Sequence, residues 1–248
     1  MSETKNSIAD GTAASRLPLS RQYRFYDLVM VAFVTVFLCS NLIGPAKAAQ
    51  IELPWIGAFT FGAGVLFFPL AYIFGDILTE VYGYARARKV IWAGFIAMAF
   101  AALMATVVVA LPPAPGWPDQ AAYQTIYGQT LRIVLASMTA YFCGEFVNSF
   151  VLAKMKLADN GKRMGWRFVV STVFGEGIDS LLFYPLAFYG IWSNELLFKV
   201  MAAQWLLKVL VEILLLPLTV RVVRWLKRVE AEDYFDRHTN FTPFSLKT

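Results

Sequence analysis

The sequence predicts an all-α membrane protein of six transmembrane helices, and two observations carry that prediction. Of its 248 residues 58% are hydrophobic and only 16% charged, with a mean hydropathy of +0.55, against roughly 25% charged in a soluble domain. A water-soluble chain of this size needs a polar skin, and long stretches here have none. Six such stretches reach the roughly 20 apolar residues that a membrane crossing requires. The apolar side chains therefore face lipid.

Taken in order, residues 1–24 form a polar tail rich in Ser, Thr and Ala. The tail lacks an apolar run followed by a small-residue cleavage site, so a disordered cytoplasmic segment is expected rather than a removable signal peptide. Spans follow near 25–44, 57–80, 89–111, 130–153, 168–191 and 197–220, giving a transport domain over 25–221 and a basic cytoplasmic tail over 222–248. Pro69 falls inside the second span, where a kink is expected. Ser40, Asn41, Gly44 and Pro45 end the first span, either as a simple helix stop or as a substrate contact. The connection 112–129 holds four prolines, Trp117 and no lysine or arginine; it reads as a semi-rigid connector or as a rim over an entrance. Val222 to Val229 alternates basic and apolar residues and reads as a helix end at an anionic membrane surface.

Orientation follows from where the basic residues fall. The N-terminal tail, the 2/3 connection (Arg86, Arg88, Lys89), the 4/5 connection (Lys154, Lys156, Lys162, Arg163, Arg167) and the C-terminal tail share one side, and Lys47 and Lys199 lie on the other. The positive-inside rule then puts both termini in the cytoplasm. It also accounts for the net charge of +5 without nucleic acid as a direct partner.

The same composition narrows the chemistry. The two cysteines, Cys39 and Cys143, lie in apolar segments and cannot frame a disulfide scaffold or a cysteine-rich metal site. The one histidine, His238, is in the C-terminal tail. No Walker A sequence and no nucleophile with a base are visible, so neither ATP hydrolysis nor catalysis is expected, and neither a metal nor a cofactor.

Charges inside hydrocarbon cost roughly 3 kcal/mol or more each, so those that persist mark an internal pathway or a buried ion pair. Asp76 and Glu80 lie at i, i+4 on the second span; Glu145 and Asn148 at i, i+3 on the fourth. Glu176 and Asp179 do the same on the fifth, with Tyr184 further along, and Gln204, Lys208 and Glu212 line the sixth. Four polar stripes argue for one central cavity with Lys208 near the midplane, where it needs a carboxylate partner. Trp205 offers a face for a flat ligand, or packing. The pairs Phe74-Gly75-Asp76 and Phe174-Gly175-Glu176 also suggest two three-helix halves of inverted topology.

The runs Ser40-Asn41-Leu42-Ile43-Gly44-Pro45 and Phe68-Pro69-Leu70-Ala71-Tyr72-Ile73-Phe74-Gly75-Asp76-Ile77-Leu78-Thr79-Glu80-Val81-Tyr82-Gly83, with Gly175-Glu176, Asp179-Ser180, Gln204 and Lys208, resemble the queuosine precursor transporter family, also called the vitamin uptake transporter family. The likeness spans roughly residues 25 to 226. It departs from the family pattern at Ala46, which stands between Gly44-Pro45 and Lys47. The resemblance implies a multi-pass protein of the bacterial inner membrane that imports 7-deazaguanines, such as 7-cyano-7-deazaguanine and 7-aminomethyl-7-deazaguanine, for salvage into modified tRNA. Asp179 or Glu176 would then take the guanine-like edge, Gln204 or Lys208 the carbonyl, and Trp205 or Tyr184 the ring face. Asn41, Asp76 and Glu80 would complete or gate the site, and Glu145 and Asn148 are counted with the substrate-binding residues. Two alternatives stand beside it: a substrate-binding membrane subunit of an ATPase-driven vitamin importer, and a carrier of another small heterocycle. A homodimer is compatible with the surface that six helices expose.

Overall fold

The computed structural model describes residues 22–43, 48–54, 57–62, 67–128 and 131–245. Most of the 1–24 tail, and Gly44, Pro45 and Lys47 of the first-span motif, lie outside the described residues. The protein is mostly helical. In chain order it comprises α1 (Tyr26–Leu42), a hairpin of β1 (Ala48–Leu53) and β2 (Gly57–Gly62), α2 (Phe68–Tyr82), α3 (Tyr84–Ala110), α4 (Gln120–Tyr127), α5 (Leu131–Ala158), α6 (Met164–Phe188) and α7 (Asn194–Glu230).

Its surface and interior are inverted relative to a soluble protein. Leu214 is 77% exposed, Leu131 72% and Leu28 64%, whereas Asp76, Glu80, Glu145 and Arg167 are 0% exposed. Only a solvent without hydrogen-bonding capacity stabilises that arrangement. Among the described residues two stretches, α3 (Tyr84–Ala110) and the one that takes in α4 and α5, are long and apolar enough to cross a membrane, and α1 is a shorter apolar helix. The buried charges of α6 and α7 interrupt their apolar runs.

The second span is where the sequence reading needs correction. Residues 57–62 are not helical: they form β2, antiparallel to β1 with Ala48 opposite Gly62 and Leu53 opposite Gly57. The Gly-Ala-Phe-Thr-Phe-Gly run alternates aromatic and small residues and has glycine at each end, a strand pattern that an apolar count reads as helix. Helix α2 is therefore only 15 residues long, and Pro69 sits in its first turn rather than kinking it. A first-turn N–H has no intrahelical partner, so proline loses nothing there.

Gly83 alone separates α2 from α3, with φ 87° and ψ 162°, a backbone region that is essentially restricted to glycine. The first amide of α3, at Tyr84, donates to both oxygens of Asp236 at 3.1 and 3.0 Å. The C-terminal segment after α7 thus folds back over the start of α3. Arg88 donates to the carbonyls of Asn240 and Thr242, Tyr84 to that of Phe241, and Trp92 to that of Pro243. Burial pushes the Asp236 carboxyl above its ordinary value, while the Tyr84 amide and the Thr239 hydroxyl pull it back.

Helix α7 has 37 residues, about 55 Å at 1.5 Å per residue, and passes unbroken through the 221/222 boundary between core and tail. Its last turn is anchored by Glu230, which accepts from the Arg24 and Phe25 amides and the Tyr82 hydroxyl. At the opposite end of the bundle Arg132, a cation that the sequence reading left unplaced, ties α5 to the Leu186 and Tyr189 carbonyls.

A methyl group at Gly83 would strike the Tyr234 ring in addition to straining the backbone. Gly116, at φ +81°, has open space around it. Gly83→Ala is expected to lower the unfolding midpoint in detergent clearly more than Gly116→Ala, which carries strain alone, about 1–3 kcal/mol; equal losses would mean that the C-terminal segment does not pack there.

Candidate functional site

Four helices bring polar side chains together inside the apolar shell, and the approach of α5 to α6 sets their spacing. A Cβ at Gly175 would lie 2.7 Å from Asn148 Cβ, and one at Gly144 would lie 3.0 Å from the Gly175 carbonyl and 2.6 Å from Tyr72 Oη. Small residues at such crossings let backbones approach and carry polar groups with them.

Lys208 of α7 is 9% exposed. Its Nζ donates to Glu176 Oε2 and Asp179 Oδ2 of α6, each at 2.7 Å, and lies 5.0 Å from the centre of the Phe68 ring at the start of α2. The two carboxylates share a face of α6 because they are three residues apart. One helical turn beyond Lys208, Glu212 accepts from the Thr172 hydroxyl of α6, and its carboxyl lies beside that of Asp76 on α2. Asp76 also accepts from Asn148 Nδ2 of α5 at 2.8 Å. Glu145, three residues before Asn148, is fully buried beside Gly75. Among the described residues no donor reaches either oxygen of Glu145, Asp76 Oδ2 or Glu176 Oε1, and the hydroxyls of Tyr72 and Tyr141 have no partner.

Of the residues singled out from the sequence, the structure joins Asp76, Asn148, Glu176, Asp179 and Lys208 into this centre, with Glu145 against it. Tyr184 is half-buried further along α6, in ring contact with Phe183 and Phe188. Gln204 is half-buried one turn before Lys208. Trp205 donates its indole N–H to the Val173 carbonyl at 3.2 Å, which ties α7 to α6.

Two residues lie elsewhere. Asn41 accepts from Ser137 of α5 at 2.9 Å and donates to Phe37 O and Ser40 Oγ, so it joins α1 to α5. Glu80, although one turn from Asp76, belongs to a separate network at the basic end of the bundle. Its Oε1 receives Arg167 Nη2 at 2.8 Å and Lys227 Nζ at 2.6 Å, with Lys156 Nζ at 3.7 Å. Asp159 pairs with Arg167, and Asp233 with Lys156 and Lys227. Burial alone would raise the Asp233 carboxyl, but the hydrogen bonds from Lys156 and Lys227 hold it below its ordinary value. Arg86, at the same end of the bundle, donates to the Tyr82 carbonyl.

Thr172, Tyr72 and Phe68 are parts of the centre that polar-stripe reasoning missed. Tyr72 stands one turn before Asp76, the same spacing that grouped Asp76 with Glu80, and Glu212 had the signal of its i+4 relation to Lys208.

Comparison with known proteins gives a consistent picture. Residues 62–222 match the family model described as "Putative vitamin uptake transporter". The chain is similar to a "Probable queuosine precursor transporter" of Bacillus subtilis (strain 168), 29% identical over 193 residues that cover 76% of this chain and 80% of that one. It is also similar to a "Queuosine precursor transporter" of Escherichia coli (strain K12), 28% identical over 126 residues, 51% of this chain and 54% of the other. No solved structure matches it.

Removing one partner of a buried ion cluster costs about 3–5 kcal/mol, chiefly because it strands the others. Lys208→Met is therefore expected to destabilise the protein strongly. Adding Glu176→Gln and Asp179→Asn should recover most of the loss in detergent unfolding; a triple variant no more stable than the single one would mean that the trio is not a mutually dependent cluster.

Proposed function

Because the chain belongs to the vitamin uptake transporter family, we propose that it is a membrane transporter, not an enzyme, and that its cargo is a queuosine precursor of the 7-deazaguanine class. The family match and the names of both relatives support the reading. The observation that carries its chemistry is the Lys208 ammonium held between two carboxylates of one helix face.

A deazaguanine edge presents a carbonyl acceptor beside a ring N–H and an exocyclic amine, both donors. An ammonium next to a carboxylate is the complement of that edge. The Asp179 side chain is 14% exposed against 1% for Glu176, so Asp179 is the partner that can turn to a ligand while Glu176 keeps Lys208 charged. In this reading Asp179 accepts from the two N–H groups and Lys208 donates to the carbonyl, with Gln204 as a second donor on the same helix. Phe68 and Tyr184 supply the ring contact, since the Trp205 indole is held at Val173. Asp76, Glu145 and Asn148 form the floor behind them, and Asn41 and Glu80 sit at the two ends, where the path opens and closes.

The same reading gives six spans in a bacterial inner membrane, with the network of Glu80, Lys156, Arg167 and Lys227 at the cytoplasmic end. Bringing a small polar heterocycle across requires a site that exchanges its internal ion pairs for ligand contacts at little net cost. Two carboxylates sharing one ammonium provide that exchange, because one can leave without stranding the charge.

Purified protein in proteoliposomes is expected to take up labelled 7-cyano-7-deazaguanine saturably. Loss of one charge-assisted hydrogen bond, about 1.5–3 kcal/mol, predicts a fall of roughly ten- to a hundredfold in transport efficiency for Asp179→Asn. No uptake by the folded wild type would overturn the substrate assignment; normal uptake by the folded variant would remove Asp179 from the site.

A further inference from the structure

We propose that Asp76 and Glu212 share one proton and that this proton moves inward with the cargo, which makes the protein a proton-coupled importer. The inference rests on the transport reading above, but the proton site itself does not.

Charge counting leads to it. At the basic end Glu80, Asp159 and Asp233 face Lys156, Arg167 and Lys227, so acids and bases balance. In the centre Asp76, Glu145, Glu176, Asp179 and Glu212 face the ammonium of Lys208 alone among the described residues, and Glu176 and Asp179 occupy it. Asp76 and Glu212 are 0% and 3% exposed and meet carboxyl to carboxyl. Two bare carboxylates do not sit in contact in a low-dielectric interior, whereas a carboxylic acid donating to a carboxylate does.

The neighbours reinforce this. Three further carboxyls act on the pair: Glu145 on α5, Glu176 on α6 and Glu80 on α2 itself. Glu80 is neutralised by its own cations and Glu176 by Lys208. Glu145, fully buried and, among the described residues, without a donor at either oxygen, adds a second carboxyl with no cation beside it and gives the shared proton a place to go. The pair joins α2 to α7, and α7 also carries Lys208. Movement of these helices against each other therefore changes proton affinity and cargo contacts together. One O–H bond forms on the outer side and breaks on the inner side per cycle, and one proton enters with each cargo molecule, so that the uncharged 7-cyano-7-deazaguanine brings in one positive charge.

The test uses wild type and Glu212→Gln in proteoliposomes with 7-cyano-7-deazaguanine. With one proton per cargo, an outside-acid gradient of one unit should concentrate the cargo about tenfold inside the wild type, and adding cargo outside should acidify the lumen, read by an entrapped dye. Glu212→Gln should exchange labelled for unlabelled cargo yet lose both effects. Infrared spectra in lipid at neutral pH should show a protonated-carboxyl carbonyl band that weakens in the variant.

Wild-type uptake indifferent to the gradient would overturn the coupling, as would a variant that still concentrates cargo. Should wild type move no deazaguanine, the cargo reading fails and the infrared band alone decides the proton site. Absence of that band, or a band unchanged by Glu212→Gln, would overturn the site.

Discussion

The structure depends on the close approach of α5 and α6 at Gly144 and Gly175, where the Gly175 carbonyl and the Gly144 backbone come too near for any side chain. The contacts that α2 and α5 bring to the centre are built around that crossing. It sets Asn148 within 2.8 Å of Asp76 across α2, it seats Tyr72 against both glycines, and it turns the Glu176 and Asp179 face of α6 toward α7. Lipid tails exert no hydrophobic pressure on helices, so close packing and hydrogen bonds must hold the bundle together. Here the packing is tightest where the hydrogen-bonding groups are densest.

A second constraint acts at the basic end. The C-terminal segment caps the first amide of α3 through Asp236 and supplies the Asp233 carboxylate to Lys156 and Lys227, while Glu230 receives the amides at the start of α1. Helix ends leave unsatisfied backbone groups that must find partners. The residues beyond the last span meet that need for α1 and α3 at once, so the tail is part of the bundle's framework and not an appendage to it.

How much of this was legible in the sequence depends on the scale of the feature. The apolar runs named the helical membrane class, i, i+3 spacing grouped Glu176 with Asp179, and the cost of an ammonium at the midplane called for the carboxylate partner that Lys208 has. Spacing along one helix says nothing about which neighbouring helix comes close. Asp76 and Glu80 share a stripe but end in different networks, because Arg167 and Lys227 reach Glu80 from helices that pairwise spacing cannot see. The hairpin over 48–62 was illegible for another reason: six residues of aromatic and small side chains satisfy an apolar count and a strand pattern equally, and only the chain's path decides. The folding back of 231–245 depends on backbone carbonyls as acceptors, which every residue type supplies alike and no sequence pattern marks.

The contrast between the two polar networks is itself a statement about function. A bundle needs ion pairs only to the extent that they hold helices, and a balanced set such as that around Glu80 does so without residual charge. Among the described residues the central set is unbalanced toward acid, places Glu145 where no donor reaches it, and commits its one ammonium twice. Burying such a set is destabilising compared with apolar residues of the same volume, so its presence is not explained by stability. Groups that the fold leaves incompletely satisfied can be satisfied by what passes through. On the transport reading proposed above, the double claim on Lys208 is a contact that a ligand edge would complete, and the carboxyls behind it are where a proton would stand in for a cation that is absent among the described residues.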